Sequence, residues 1–233
     1  MHCEYMFYLR YIEKVPLVES SASVYGSAIH KTIKLAHENK LSKKETVEVF
    51  RKEWIQSASS KDIVFLNEKD YLGKLAGGKK LMERYYNKFI SGAPEPKKLE
   101  YFVGYKEGIK LGKHSVVAVF DQITHDDMIV DIKTGVKPTQ NQLDFDLQFT
   151  IYSYVYRQLF GENEKGLILR HMNTMKDMVT TRTEEDFEIL LNEVEKIESK
   201  IGSNIFLRNL DRDCNRCYFL EHCLGKENRV GKW

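Results

Sequence analysis

The chain has 233 residues, 42% hydrophobic and 12% aromatic, which excludes a disordered polypeptide and allows one large domain, alone or with a small appendage. Its 36 basic and 34 acidic residues give a formal charge of +2, so any site for a polyanion must be a local patch. No apolar run could span a bilayer and the first 14 residues lack the regions of a signal peptide, so we expect a cytoplasmic protein with no membrane partner.

The first part of the chain, residues 1–97, is predicted to be helical. Ser20 and Ser21 are candidates for the cap that begins the first long helix. Pro94 and Pro96 mark the clearest break in the pattern, and strands are predicted after them. The predicted helices cover residues 22–39, 43–57 and 68–90.

Gly26 and His30 stand at positions i and i+4 of the first of these helices, so they share a face. Glycine inside a helix costs about 1 kcal/mol relative to alanine, which indicates that another group approaches this face closely. His30 is therefore a candidate metal ligand or phosphate contact. The alternative is a histidine that is simply packed or solvated.

The rest of the chain alternates between strands and helices. Residues 141–159 are predicted to form a helix of crossover length, and Thr183 and Asp186 form a capping box before a further helix. We therefore expect an α/β fold, a mixed central β-sheet flanked by helices. Residues 98–205 would be its core and 206–233 a C-terminal segment, all in one compact unit. The predicted strands cover residues 99–105, 108–112, 115–123, 128–133, 166–172 and 177–181.

Two of these strands carry charges within apolar runs. Asp131 and Lys133 share one face of their strand, because side chains alternate with period two. If Thr124 pairs with Met128 in a hairpin, Asp121 lies directly across from Asp131, and like charges so placed repel. A divalent cation such as Mg²⁺ would offset the repulsion, with Lys133 beside it to order a water. The alternative is that Lys133 only neutralises Asp131.

Gln148 and Tyr152 stand at i and i+4 on the predicted crossover helix. An amide and a phenol on one face can bind a phosphate or a base edge. The alternative is that this helix only contributes to the core, through a stripe formed by Leu147, Ile151, Tyr154 and Val155.

The cysteines form a C-x2-C-x5-C trio, Cys214, Cys217 and Cys223, with Cys3 at the other end of the chain. Without a secretory signal, this pattern indicates metal or redox chemistry rather than disulfide bonds. Four thiolates suit an iron-sulfur cluster or a structural zinc, and one isolated cysteine with a tight trio suits the cluster better. Either group would join the two ends of the chain and support folding.

Five motifs, in this order, resemble the RecB-like branch of the PD-(D/E)XK nucleases and specifically its iron-sulfur members, which include the AddB-type nuclease domain and a CRISPR-associated exonuclease family. GSAIH is similar to the G-x-x-x-H helix of that group and VFDQI to its first acid. VDIKTG is similar to its acid-x-lysine element and QFTIY to its Q-x-x-x-Y helix. The four cysteines are similar to its split cluster motif.

The resemblance implies a restriction-endonuclease-like core and roles for the residues above. Asp121 and Asp131 would ligate Mg²⁺ or Mn²⁺, the backbone carbonyl of Ile132 and the imidazole of His30 would complete or flank the site, and Lys133 would position the attacking water.

The resemblance also implies that Gln148 and Tyr152 contact the DNA or orient Lys133. Cys3 and the trio would hold a 4Fe-4S cluster, with structural Zn²⁺ as the alternative. Glu100 resembles an acid that precedes the first strand in some relatives.

The expected function is that of a metal-dependent DNA nuclease, an exonuclease on single-stranded DNA or duplex ends, in DNA repair, recombination, phage or CRISPR-related processing. The sequence has no G-x-x-x-x-G-K-[ST] motif, so unwinding must come from a helicase or processing-complex partner. One alternative is a non-catalytic, cluster-stapled DNA-binding or assembly subunit. Another is an RNA or nucleotide hydrolase that uses the same site.

Overall fold

The fold is α/β, as predicted, with a five-stranded mixed sheet between two groups of helices. The predicted C-terminal segment, 206–233, lies partly outside the described residues. None of the described helices combines the length and apolar character needed to cross a bilayer. The computed structural model describes residues 3–16, 19–59, 63–65, 67–210, 214 and 217–225.

The three long N-terminal helices lie where they are predicted, and local capping explains where they begin. The hydroxyl oxygen of Ser20 accepts a hydrogen bond from the backbone N–H of Ser23, and Ser42 forms a capping box with Glu45. The α-helices of the described residues are α1 (Glu4–Phe7), α2 (Ser21–Glu38), α3 (Lys43–Ala58), α4 (Glu68–Tyr85), α5 (Gln140–Asp144), α6 (Leu147–Phe160), α7 (Glu184–Gly202) and α8 (Leu220–Leu224).

Single turns of π-helix follow α1 and α4, and the second one extends the helical run to the end predicted from the sequence. The carboxylate of Asp186 accepts a hydrogen bond from the backbone N–H of Thr183, 2.7 Å away, so the predicted capping box does begin α7.

The strands are β1 (Glu19–Ser20), β2 (Ile63–Val64), β3 (Lys98–Val103), β4 (Lys110–Leu111), β5 (His114–Ser115), β6 (Ala118–Ile123), β7 (Met128–Lys133), β8 (Gly166–His171) and β9 (Lys176–Thr180). The central sheet has the order β3-β6-β7-β8-β9, and only the β7–β8 pair is parallel. Helices α5 and α6 form the crossover that a parallel pair requires.

Three predictions from the sequence are wrong in detail. The predicted strand 115–123 is divided, because Ser115 pairs within the β4–β5 hairpin and β6 begins only at Ala118. Residues 108–112 do not join the central sheet, because Gly112, at a φ of 60°, turns the chain so that β4 and β5 form a separate hairpin. The predicted helix 141–159 is two helices, α5 and α6. The side chain of Asp146 accepts hydrogen bonds from the backbone N–H groups of Gln148 and Phe149, which caps a new helix there.

The core lies on both faces of the sheet. One hydrophobic cluster joins Val130 and Ile132 of β7 to α2, α3 and α4, where Trp54 and Tyr85 are fully buried. Burial of such side chains contributes about 1.5–3 kcal/mol each and holds these helices beside the sheet. The other cluster joins the opposite face to α6, and its members include Phe120, Ile123, Ile129, Phe149, Val155, Leu167 and Leu169.

Candidate active site

A cavity of about 660 Å³ lies between α2, the sheet and the first turns of α6. It brings together six side chains that the sequence singles out, which are far apart along the chain. Its lining consists of Gly26, Ser27, His30, Lys31, Lys34, Glu100, Val119, Asp121, Asp131, Lys133, Gln148 and Tyr152.

The β6–β7 hairpin has the register that the sequence predicts. Thr124 and Met128 are joined by hydrogen bonds, and Gln122 pairs with Val130. The ladder stops before Asp121, whose Oδ2 instead accepts a hydrogen bond from the backbone N–H of Ile132, 2.6 Å away. The first acid is therefore fixed to β7 through its side chain. The predicted role for Ile132 involves its carbonyl, and it is the amide that contacts Asp121.

Glu100 of β3 lies opposite Asp121 of β6, on the side of β6 that faces away from β7. Strand β3 pairs with β6 in one register on both sides of this position, but the Glu100–Asp121 pair is missing from the ladder. Glu100 has a φ of 43°, in the left-handed region. On β6, Phe120 and Ile123 reach the same hydrophobic cluster although they are three residues apart, so the alternation is interrupted between them. Such strain clusters at functional sites.

His30 reaches these two acids from α2. Its Nδ1 lies 3.2 Å from an oxygen of Asp121 and 3.6 Å from an oxygen of Glu100. One ligand atom from each of the three side chains lies within 4.8 Å of the other two. A Cβ on Gly26 would lie 3.5 Å from the hydroxyl of Thr134, an ordinary contact distance, so α2 passes near the strand end but does not require a glycine there. A single cation can therefore be reached by all three side chains.

Asp131 is the buried acid of the site, with 2% of its surface exposed. Its Oδ1 accepts hydrogen bonds from Lys133 Nζ, at 3.2 Å, and from Gln148 Nε2, at 3.3 Å. Its Oδ2 lies 3.0 Å from Lys133 Nζ but at an angle that makes no hydrogen bond, and it has no other hydrogen-bond partner among the described residues. A buried carboxylate oxygen left in this state is a ready ligand for a cation.

Gln148 links the lysine to the helix. Its Oε1 accepts a hydrogen bond from Lys133 Nζ at 2.8 Å, and its Nε2 donates to the hydroxyl of Tyr152 at 2.7 Å. Because Asp146 caps α6, Gln148 stands in the first turn of that helix. Tyr152 is 8% exposed and packs on Phe120, so it is both a core residue and a member of the site. The alternative core stripe is wrong at Leu147, which is 48% exposed.

The charges of the cavity shift the pKa values of its members. Burial opposes the charge on His30, but the carboxylates of Asp121 and Glu100 outweigh it and raise the pKa of His30 to about 10. Burial, followed by the charge of Asp121, raises the pKa of Asp131 to about 6 against the opposing effect of Lys133. A cation would therefore relieve the unfavourable charge on ionised Asp131, whereas the proton on His30 must leave before its nitrogen can bind the ion.

The two ends of the chain meet at the cysteines. The backbone N–H of Asn209 donates to Cys3 Sγ at 3.5 Å, and Cys214 Sγ donates to the carbonyl of Asn209 at 3.6 Å. Burial raises the pKa of the Cys223 thiol against the opposing charge of Arg208, and the other three cysteines lie near enough to raise it further. All four side chains are half-buried. The predicted juxtaposition of Cys3 with the C-terminal trio is therefore present.

Comparison with known proteins now adds to this geometry. The family model of the PD-(D/E)XK nuclease superfamily matches residues 1–224. The chain belongs to this superfamily. No curated protein sequence matches it at a significant level. As a PD-(D/E)XK protein it is a metal-dependent nuclease, and DNA is the substrate that the superfamily implies.

The residues of this nuclease fit the divalent ion that its superfamily uses. His30, Glu100 and Asp121 offer three ligand atoms at close range, and Asp131, whose Oδ2 makes no hydrogen bond with the described residues, lines the same cavity. Carboxylate oxygens are the ligands that Mg²⁺ prefers, and Mn²⁺ also accepts an imidazole nitrogen.

Three charged residues of the cavity are indicated weakly or not at all by the sequence patterns, namely Glu100, Lys31 and Lys34. The lysines could have been found from spacing, because Lys34 follows His30 by one helical turn. Glu100 could not have been found in this way, since its contact with Asp121 depends on how β3 pairs with β6.

Proposed function

We propose that this protein is an exonuclease that hydrolyses phosphodiester bonds in single-stranded DNA or at duplex ends, of the RecB-like type, with Mg²⁺ or Mn²⁺ in the cavity. The observation that carries the proposal is the meeting of His30, Glu100 and Asp121 beside the buried Asp131, whose Oδ2 accepts no hydrogen bond from the described residues. That oxygen has a counter-ion, Lys133 Nζ at 3.0 Å, and its lone pairs are left for a cation.

In this proposal the acids and His30 hold the cation, and the carbonyl of Ile132 is a further ligand. When bound, the divalent ion supplies charge neutralisation at the scissile phosphate and lowers the pKa of a water. Glu100 joins the ligand set that the sequence indicates, because its carboxylate lies beside His30.

Lys133 has the position expected of the residue that orders the attacking water. Its amine contacts Asp131 and is held by Gln148, so it points into the cavity with little rotational freedom. A cation at this place also stabilises charge that develops on the phosphate. Gln148 and Tyr152 then act through Lys133, and a direct contact of either with DNA is the second role that we propose for them.

The cysteines are proposed to hold a 4Fe-4S cluster. The pattern of one isolated cysteine, Cys3, with a tight trio, Cys214, Cys217 and Cys223, suits a cluster better than a single zinc. The cluster would join Cys3 to the C-terminal segment, so that residues 1–97, 98–205 and 206–233 form one compact unit.

The non-catalytic alternative is less well supported by the geometry. A subunit that only binds DNA has no need for an amine oriented by a glutamine beside a buried acid, which is the arrangement of Lys133. A helicase or processing complex is proposed as the partner that supplies unwound DNA, in repair, recombination, or phage or CRISPR-related processing.

The test is cleavage of end-labelled single-stranded DNA with Mg²⁺ or Mn²⁺, which should release short products and stop with EDTA. Asp121→Ala and Asp131→Ala should lose nearly all activity, and Lys133→Ala about 10²-fold or more in rate while it still binds metal. Asp126→Ala and Lys137→Ala change exposed charges outside the cavity and serve as matched controls.

Two outcomes together would contradict the proposal. In the first, protein with its cluster loaded cuts neither DNA nor RNA with any divalent metal. In the second, the acid variants bind metal like the parent. Cleavage of RNA alone would replace DNA with RNA as the substrate.

A further inference from the structure

Phe102 is an aromatic residue of β3 that belongs to neither hydrophobic cluster, and 60% of its surface is exposed. Single exposed apolar side chains are common in proteins, so the exposure itself indicates nothing. The location of Phe102 relative to the cavity is what suggests a function for it.

Phe102 neighbours a residue of the cavity wall, although it is not itself among the lining residues. Phe102 pairs with Val119 across β3 and β6, and directly opposed residues of an antiparallel pair share a face. Val119 lines the cavity together with Asp121, two residues further along β6. Glu100 lies two residues from Phe102 on β3 itself. The exposed ring is therefore next to the cavity wall and on an edge strand, where a long ligand can pass.

The backbone holds the ring in place from below. A Cβ built on Gly104 would lie 2.5 Å from Cε1 of Phe102, so the ring rests directly on the glycine. The backbone N–H of Gly104 donates to the carboxylate of Glu107 at 2.7 Å, which fixes that seat. Gly104 has a φ of −120°, so its backbone places no demand for glycine. The close approach of the ring is the feature that requires a residue without a side chain.

Two exposed lysines of α2 also line the cavity beside the ring. Lys31 and Lys34 are 56% and 40% exposed, and each has an acidic partner, Glu53 at 2.6 Å and Glu38 at 3.8 Å. Ion pairs between exposed side chains are weak, so both amines can exchange these partners for phosphates. Proteins that bind single strands combine such cations, which follow the phosphates, with aromatic rings on which bases stack. A duplex keeps its bases paired and offers no free base to such a ring.

We propose that Phe102 is a stacking platform for one unpaired base of the strand that is cut, so that it selects single-stranded over duplex nucleic acid. The inference rests on the proposed function, since the strand on Phe102 is the one whose backbone enters the cavity. Lys31 and Lys34 bind the phosphates between the platform and the acids.

The test is fluorescence anisotropy in Ca²⁺ with a labelled single strand, the same strand with abasic sites, and the duplex. Phe102→Ala should weaken binding of the base-bearing strand about tenfold, the scale of one lost stacking contact, and Phe102→Trp should restore it. Gly104→Ala should resemble Phe102→Ala, because its methyl group displaces an exposed ring at little cost to folding. Ile189→Ala removes an equally exposed apolar side chain from α7 and is the control.

The abasic strand should bind the parent weakly and be insensitive to Phe102→Ala. Equal affinity of parent and Phe102→Ala for the base-bearing strand, or equal losses on base-bearing and abasic strands, would overturn the platform. If the parent cleaves single strands and these variants match it in KM, the nuclease stands and the platform fails. If binding depends on Phe102 and nothing is cleaved, the platform stands as a binding site and the proposed catalysis fails.

Discussion

The amine of Lys133 is held by the side chain of Gln148 on a different element, with 2.8 Å between Nζ and Oε1. Lys133 is the last residue of β7, and Gln148 lies in the first turn of α6. A break at Asp146 divides the predicted crossover helix into α5 and α6. The direction of the amine therefore depends on where a neighbouring helix begins.

Gln148→Ala should lower kcat about tenfold and change KM little, because it removes the group that orients Lys133 and not the lysine itself. Steady-state cleavage of single-stranded DNA measures both constants. Gln158→Ala, an exposed residue of the same helix, is the matched control. A raised KM with unchanged kcat would instead assign Gln148 to a DNA contact.

Asp131→Asn should stabilise the metal-free protein at pH 8. The folded-state pKa of Asp131 is raised to about 6 from an ordinary value of 3.8, so its contribution to stability is complete below pH 3.8 and is lost as pH rises through 6. Removing the ionised carboxylate should raise Tm in EDTA by about 2–4 °C, the equivalent of about 1 kcal/mol.

The gain should shrink at pH 4.5, where the parent carboxyl is protonated in the folded state. Asp126→Asn, in the exposed hairpin loop, should show no such pH dependence. A lower Tm for Asp131→Asn at pH 8 would mean that the pairing with Lys133 outweighs burial and repulsion.

Binding of Mn²⁺ should release a proton from His30. The pKa of His30 is raised to about 10, so the imidazole is protonated at pH 8, and a metal ligand must be neutral. Affinity should therefore rise about tenfold per pH unit up to pH 10, and more steeply below pH 6, where Asp131 also gives up a proton. Calorimetry in two buffers of different ionisation enthalpy measures the proton directly.

His30→Gln should abolish most of this proton release, while His125→Gln, in an exposed loop, should leave it unchanged. Identical heats in both buffers for the parent would show that the ion does not displace the proton of His30, and hence that His30 does not bind the ion.

Cys217→Ala should reduce the iron content and lower the Tm of the isolated protein by several degrees, with kcat of the remaining folded protein within about twofold of the parent. The proposed cluster would close a loop of more than 200 residues, so its loss should act mainly on folding. After the iron is removed, parent and variant should melt at the same temperature. Stoichiometric zinc in protein expressed with ample iron would replace the cluster by zinc.

Sequence patterns were sufficient where the physics is local. The register of the β6–β7 hairpin follows from apolar runs and a short turn, so the patterns alone place Asp121 and Asp131 in one cavity, although the ladder stops before they pair. The helices α2, α3 and α4 follow from apolar periodicity and caps in the same way. The roles assigned to the site residues stay predictions.

The parts that escaped prediction depend on contacts between distant segments or on competition between similar local signals. Glu100 reaches Asp121 because β3 pairs with β6, and its φ of 43° leaves no trace in an alternation pattern. The end of α5 is set by the Asp146 cap, which neither glycine nor proline marks. Phenylalanine is usually a core residue, so the residue type alone does not predict that Phe102 is exposed. Its exposure depends on its place on an edge strand.

The backbone of Glu100 has a cost that the rest of β3 does not share. A left-handed φ is unfavourable by about 1–2 kcal/mol for a residue with a Cβ and nearly free for glycine. Glu100→Gly should therefore fold more stably than the parent and bind Mn²⁺ more weakly. A library of variants selected for heat resistance alone would therefore enrich Glu100→Gly and lose hydrolytic activity. Thermal stability and hydrolysis place opposite demands on this position.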